Sequence, residues 1–254
     1  MGAGHTGSLH VSGDSPIHRL APEAKLAAVF VFVVAVSITP REAVAMFAID
    51  AAVVVGILAL ARLGPGLVLR RLAVILPFLG FAVLIPFIAG GEEVDVVGVS
   101  VSRDGLWASW NVFAKATIGA SASIVLAATT SITELLRGLS ALKVPTVVVS
   151  ILSFMFRYLD VIVDEMRRMR TAMVARAHDP RWLWQAKPIA SSAGALFVRT
   201  YERGERVHGA MLARGFTGTM PQLDHRRARA GEWMLAAVPP AIAIAAAVVG
   251  IVVL

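Results

Sequence analysis

Six apolar runs, at residues 26–38, 43–61, 72–89, 106–128, 144–155 and 233–254, constrain this chain more than any other feature. The hydrocarbon core of a bilayer is about 30 Å thick and takes roughly 20 helical residues to cross. The second, third, fourth and last runs reach that length; the first is short, and either lies shallow or borrows flanking residues. The run from residue 144 is too short to span. It passes into charged amphipathic sequence, which points to a helix whose apolar start packs on the membrane underside or against other helices. With 57% hydrophobic and 16% charged residues and a mean hydropathy of +0.74, the composition excludes an ordinary soluble domain of 254 residues. The expected fold class is an all-α integral membrane protein with about five transmembrane helices and a cytoplasmic insertion of amphipathic helices. There is no cysteine, which removes disulfides and thiolate metal sites.

Charge sets the orientation. Of the 24 Lys and Arg residues, 16 lie between residues 129 and 232 against 9 acids, so the whole formal excess of +7 is found there. The Arg62, Arg70, Arg71 loop is basic as well, and both regions belong on the cytoplasmic side. The loop at 90–105 carries Glu92, Glu93, Asp95 and Asp104 against Arg103 alone, which suits the outside. With the N-terminus inside, four spans return the chain to the cytoplasm and a fifth leaves the C-terminus outside. The expected organisation is a flexible polar tail with the start of the first helix at 1–25, four transmembrane helices at 26–128, a cytoplasmic region at 129–232 and a final transmembrane helix at 233–254. The protein is expected to be multi-pass in the plasma or inner membrane.

Helix punctuation divides these regions further. Arg19 and Lys25 ahead of a short apolar run, with Ala43-Val44-Ala45 behind it, would also suit a cleaved signal peptide. Thr39-Pro40-Arg41-Glu42 reads better as a helix start, with Thr39 as N-cap and Glu42 completing a capping box in the tight outer turn between spans one and two. Ser131-Ile132-Thr133-Glu134 has the same spacing and begins a helix reaching about Leu142 before Pro145 interrupts. From Met155 the residues Leu159, Ile162, Met166, Met169 and Met173 recur at helical spacing while Arg157, Asp160, Asp164, Arg167 and Arg168 occupy other faces. Asp164 and Arg168 form an i, i+4 pair, as do Glu202 and Arg206 on a helix running from about Ser191 to Arg214. Asp179-Pro180 separates the two helices, and Gly215 with Gly218 stops the second. The methionines suit core packing, and equally a surface that must re-pack against a moving partner.

A ten-residue pattern occurs twice in this region. Arg168 to Ala177 and Arg206 to Gly215 both read R-x-x-x-A-M-x-A-R-[A/G], with Arg168, Met173, Ala175, Arg176 and Ala177 matching Arg206, Met211, Ala213, Arg214 and Gly215. Each copy places a lone Arg at a helix C-terminus, beside the negative end of the macrodipole, with a planar fork of donors available to a docking partner. A single such Arg would read as a solvated or lipid-facing helix end. Two in one local frame point to two copies of one partner.

The chain resembles the transmembrane T component of energy-coupling factor (ECF) transporters, in the cobalt/nickel-type branch. The stretches that carry the likeness are Ile17-His18-Arg19-Leu20-Ala21-Pro22-Glu23-Ala24-Lys25, Arg157-Tyr158 through Asp164-Glu165 to Ala175-Arg176-Ala177, and Leu196 through Arg199, Glu202 and Arg206 to Ala213-Arg214-Gly215. They cover about residues 15–220. The resemblance implies that Arg176 and Arg214, with Ala175, Ala177, Ala213 and Gly215 around them, dock into grooves on two ATP-binding-cassette ATPase subunits. It assigns Arg168, Met173, Arg206 and Met211 to supporting these ends. It further implies a membrane-embedded substrate-binding component as a third partner, cobalt or nickel as cargo, and no catalysis by this chain. ATP and Mg are then held by the partner ATPases, and no cofactor by this chain. A vitamin-type ECF transporter is the alternative. The first signature ends in Ala177 where the family pattern has Gly, and Gly204 stands where related chains often carry Ala.

Other chemistry is poorly supported. No P-loop, H-E-x-x-H or G-x-S-x-G occurs. The scattered histidines, including His5 and His10 in the tail, do not make a metal site. Asp50 and Lys115 fall inside spans, where each costs about 2.5–3.5 kcal/mol if unpaired at the bilayer centre. They either face one another or a polar groove and fix helix packing, or serve a function. An intramembrane enzyme would use them with Asp160, Asp164 and Glu165, but those acids sit among basic neighbours as on a solvated face. Nucleic acid is not expected, since the basic region has few aromatics and mixes both signs of charge. Membrane lipid is the expected surrounding. Pro77 and Pro86 should kink or loosen the third span.

Overall fold

The computed structural model describes residues 10–11, 13–90, 93–96, 99–177, 187–218 and 228–253. In chain order the elements are α1 (Pro16–Arg19), α2 (Pro22–Ile38), α3 (Val44–Leu60), α4 (Pro65–Leu72), a 3-10 turn (Ala73–Ile75), α5 (Leu76–Ile88), β1 (Glu93–Val96), β2 (Val99–Ser102), α6 (Arg103–Thr129), α7 (Ile132–Ala141), α8 (Thr146–Ala175), α9 (Lys187–Ala213) and α10 (Ala230–Val253). They fall into two compact units, one containing residues 9–142 and 226–254, the other 143–225.

In the first unit α2, α3, α6 and α10 surround a core of Phe32, Val36, Phe47, Val54, Ile118, Ala122 and Ala243. The opposite faces carry exposed Phe30, Phe78, Phe81, Ile88 and Val252, the inversion that lipid as solvent requires. Among the described residues, four helical stretches are long and apolar enough to cross a membrane, namely Pro65–Ile88, α6, α8 and α10, with α3 a shorter apolar helix. Small side chains let helices approach closely in lipid. Ala236, Ala243, Ala246, Ala247 and Gly250 form the buried face of α10. At Gly105 a Cβ would come within 2.6 Å of the Pro86 Cα, so the α5–α6 crossing needs glycine. A 3-10 turn interrupts the third span between α4 and α5 just ahead of Pro77 in the first turn of α5, whereas α5 runs on through Pro86.

Two expectations of local structure are corrected. Thr39 does not cap α3; it ends α2, with its buried hydroxyl donating to the Ala35 carbonyl at 3.2 Å, and α3 starts at Val44 behind Ala43 without a side-chain cap. Pro40 disfavours helical backbone at Thr39, and its carbonyl accepts the Ala43 N–H to close a turn instead. The loop at 90–105, read only as acidic, contains an antiparallel hairpin pairing Glu93 with Ser102 and Val96 with Val99. Arg41 reaches Asp104 at 3.0 Å, tying the α2–α3 turn to the start of α6 on the same side of the bundle.

At the other side, ordered contacts gather around the start of α2. Within the stretch expected as a polar tail, α1 is capped by Ser15, and Val11 with Ile17 packs against Ala61, Leu63, Val68 and Ala128. The last carbonyls of α6 have no helical partners. Val11 N–H donates to Ala128 O at 2.9 Å and Lys25 Nζ to Thr129 O at 2.9 Å. Glu23 accepts the Ala228 N–H at 2.6 Å, fixing the approach to α10. The capping box of α7 forms as the spacing requires, with Ser131 and Glu134 bonding reciprocally. Helix α7 lies on α2 so closely that a Cβ at Gly138 would meet Leu26 Cδ1 at 2.7 Å.

Candidate functional site

The second unit is built on α8 and α9, 30 and 27 residues long. Glu165 on α8 accepts from Arg199 on α9, and further along Ser192 Oγ lies 3.6 Å from Met173 Sδ. Tyr158 and Val207 line one cavity between them. Residue numbers fall on one helix as they rise on the other, so the helices form an antiparallel hairpin. Pro145 is the N-cap of α8, and Pro188 in the first turn of α9 suits a position whose N–H has no helical partner. The Asp179-Pro180 break and the side chains of Lys187 and Pro188 lie outside the described residues.

The two signature arginines close the helices in the same way. Arg176 is the C-cap of α8, with its N–H on Met173 O, and Ala177 follows with φ +57 and its N–H on Val174 O. Arg214 follows Ala213, the last residue of α9, and Gly215 has φ +80 with its N–H on Leu212 O, while Phe216 N–H reaches Met211 O at 3.0 Å. This pair of bonds is a Schellman cap. Ala177 therefore adopts the left-handed conformation that the signature's usual Gly takes freely. Both arginines are exposed, and their side chains make no hydrogen bond or ion pair among the described residues. Because the hairpin is antiparallel, they sit at opposite ends of it, separated by about the length of α9, roughly 40 Å at ~1.5 Å per residue.

Supporting side chains brace the hairpin between these ends. Arg206 lies 3.9 Å from Glu202, as the i, i+4 spacing predicts. The expected Asp164–Arg168 side-chain pair is replaced: Arg167 takes the Asp164 carboxylate at 3.5 Å, and Arg168 lies 3.9 Å from Glu165 with its Nε on the Asp164 carbonyl. The i, i+3 partners are simply nearer on this face. Glu165 thus holds both Arg168 and Arg199. Met211 lines the cavity between the helices together with Phe154, Tyr158 and Phe216, and Met173 meets α9. Helix α8 has no fully buried side chain: Met155 and Met166 are 51% and 55% exposed, while Met169 and Met173 are half-buried facing α9, so packing within the hairpin accounts for only part of the methionine stripe.

The intramembrane pair is not a pair. Lys115 Nζ donates to Ser37 O at 2.8 Å and lies 6.0 Å from the Phe47 ring centroid. The carbonyls at the end of α2 lack helical partners and carry the negative end of its dipole, which is where an ammonium settles. Asp50 is 0% exposed, and both of its carboxylate oxygens are without partners. His18 has both ring nitrogens engaged, by Ser15 Oγ at 2.7 Å and Val11 O at 3.1 Å, with the His10 ring 6.4 Å away. His5 lies outside the described residues, and no cluster of three or more metal-ligating groups is found among the described ones. Sequence reasoning missed the Glu23 and Lys25 ties; the available signal was a Pro-Glu-x-Lys start to an otherwise apolar helix, too short a pattern to name its partners.

Comparison with known proteins places this architecture. The profile of the CbiQ family, described as cobalt transport protein, matches residues 13–224. The chain is 27% identical over 235 residues to the energy-coupling factor transporter transmembrane protein EcfT of Bacillus selenitireducens, covering 86% of each chain. It is 33% identical over 104 residues to the cobalt transport protein CbiQ of Rhodobacter capsulatus, 41% of this chain and 42% of that one. An uncharacterized protein of Methanocaldococcus jannaschii is 29% identical over 155 residues, and the match spans 58% of the length of each. A second from the same organism is matched over 56% of its length, so the chain spans little more than half of these two relatives. The match to the family profile extends from the α1 segment through the hairpin to beyond both signature arginines, and the chain belongs to the CbiQ cobalt transport protein family.

Proposed function

We propose that this chain is the transmembrane coupling subunit of an ATP-driven ECF-type uptake transporter for cobalt or nickel ions. It links two ATPase subunits to a membrane-embedded substrate-binding component. The observation that carries the proposal is the pair of exposed arginines whose side chains have no partner among the described residues, one at each end of a single braced hairpin, on helices closed by matching left-handed caps. The chain performs no chemistry of its own in this reading. ATP and Mg are bound by the ATPases and the cargo by the substrate-binding component, whose identity decides between metal and vitamin.

Helix α8 fits this arrangement as a cytoplasmic rod. Although its first 18 residues are apolar enough to cross a membrane, Arg157 and Asp160 fall among them, and Asp164, Glu165, Arg167, Arg168 and Arg170 follow within ten residues. Such a density of charge belongs in water or at an interface. The N-terminus and the hairpin then lie in the cytoplasm, the β-hairpin and the C-terminus outside, and α2, α3, α4–α5, α6 and α10 cross. Closure of the paired ATPases on ATP would draw Arg176 and Arg214 together, and the hairpin would carry that displacement to the membrane components.

Truncating one partner of a buried interfacial charge pair costs about 2–5 kcal/mol. Arg176→Ala and Arg214→Ala are each expected to impair ATPase association and radiolabelled cobalt uptake while membrane insertion is retained. Normal association and uptake in both variants would overturn the proposal.

A further inference from the structure

The two ends of the hairpin are not alike. Beside Arg214 lies a concavity of about 600 Å3 lined by residues of both helices, among them Phe154, Arg157, Tyr158, Met211 and Phe216. The Phe154 and Tyr158 rings stack, with centroids 6.4 Å apart and planes inclined by 18°. Arg157 is exposed and its side chain, like that of Arg214, has no ion-pair or hydrogen-bond partner among the described residues. Among the described residues, no acidic side chain lines the concavity. Elsewhere on the hairpin, Arg199 is paired with Glu165 and Arg206 with Glu202, while Arg170 and Arg203 have no ion pair among the described residues and do not line this concavity. The cavity that reaches towards the other end contains Arg167 and Arg170 but not Arg176.

Two guanidinium groups facing one hollow repel each other unless an anion lies between them, and apolar aromatic walls strengthen whatever charge interaction forms there. The geometry points to Arg157 as the second cation of the Arg214 docking end, so that this end takes a segment of one ATPase subunit presenting two neighbouring carboxylates. The inference rests on the coupling-subunit reading and adds to it the chemistry of the partner and an inequality between the ends. Arg176 offers one fork on a strained alanine cap, whereas Arg214 offers one of two forks on a relaxed glycine cap. The second ATPase contact is the stronger, and its strength is shared between α8 and α9, so it also holds the hairpin's open end together.

The test is the dissociation constant of the purified ATPase pair for the full-length chain in nanodiscs, measured in phosphatidylcholine and again with phosphatidylglycerol added. A hydrogen-bonded charge contributes enough that Arg157→Ala should weaken binding about tenfold in both lipids. Arg157→Lys, which keeps the charge but not the fork, should fall between, and the double variant with Arg214→Ala should lose less than the product of the single losses because both cations serve one segment. Arg170→Ala, exposed on the same helix, should change nothing. If Arg157→Ala matches Arg170→Ala while Arg214→Ala still weakens binding, the inference is overturned and the coupling reading stands. If no variant of Arg157, Arg176 or Arg214 weakens binding, both fall. A loss confined to phosphatidylglycerol membranes would make Arg157 a headgroup ligand and overturn the inference.

Discussion

Arg62, Lys143, Ala177 and Gly215 each sit just past the C-cap of a helix with φ values of +54, +62, +57 and +80. At the first two a cation lies beside the negative helix end, which favours it. At the last two the left-handed residue turns the chain away and leaves the preceding arginine uncovered. Left-handed backbone costs an L-residue about 1–2 kcal/mol and glycine almost nothing. Ala177→Gly is therefore expected to stabilise the end of α8 by about 1 kcal/mol, and Gly215→Ala, with open space around its Cβ position, to cost α9 about the same. Amide hydrogen exchange in the last turn of each helix measures both; faster exchange in Ala177→Gly would contradict the account. The signature arginines were legible in the sequence because their pattern repeats. Their shared cap was only partly so, since nothing in Ala177 announces a left-handed residue.

At the scale of elements, helix types and order were legible from apolar runs and cap spacing, while connections that depend on distant partners were not. Ser131 and Glu134 announce α7 by their spacing alone. Thr39 and Glu42 have nearly the same signal, yet Thr39 is drawn back to the Ala35 carbonyl, because a hydroxyl can close either the helix before it or the one after. The β1–β2 hairpin was present as alternating valines and went unread beneath the acidic residues. The α7 cap also carries a pH dependence. Burial alone would raise the Glu134 carboxyl, but bonds from Ser131 and the nearby charges of Lys25 and Arg137 outweigh it and hold the group below its ordinary value of 4.5. A carboxyl lowered on folding contributes stability above its ordinary value and loses it as pH falls through the lowered one. Thermal unfolding of the purified chain should thus show an acid-induced loss below about pH 4.5 that is reduced in Glu134→Gln. Equal acid sensitivity in the two proteins would contradict this origin.

Across the membrane unit as a whole, the end of the bundle at which α2 begins is held by polar ties between helices remote in sequence. Lys25 serves the α6 carbonyl at Thr129, and Glu23 the Ala228 N–H ahead of α10. Removing the ammonium leaves a buried carbonyl unsatisfied, so Lys25→Met is expected to cost about 1–3 kcal/mol, seen as a lower midpoint of thermal unfolding in detergent. An unchanged midpoint would show that the tie is dispensable. The apolar runs made the spans legible; they could not reveal these ties, nor that Asp50 and Lys115 go separate ways, because a period along one helix carries no information about its neighbours. The natural chain has no cysteine, so spin labels at cysteines placed next to Arg176 and Arg214 report without background. In the assembled transporter, pulsed electron–electron resonance should show the distance between the two labels shortening when ATP binds; an identical distance distribution with and without ATP would contradict the account.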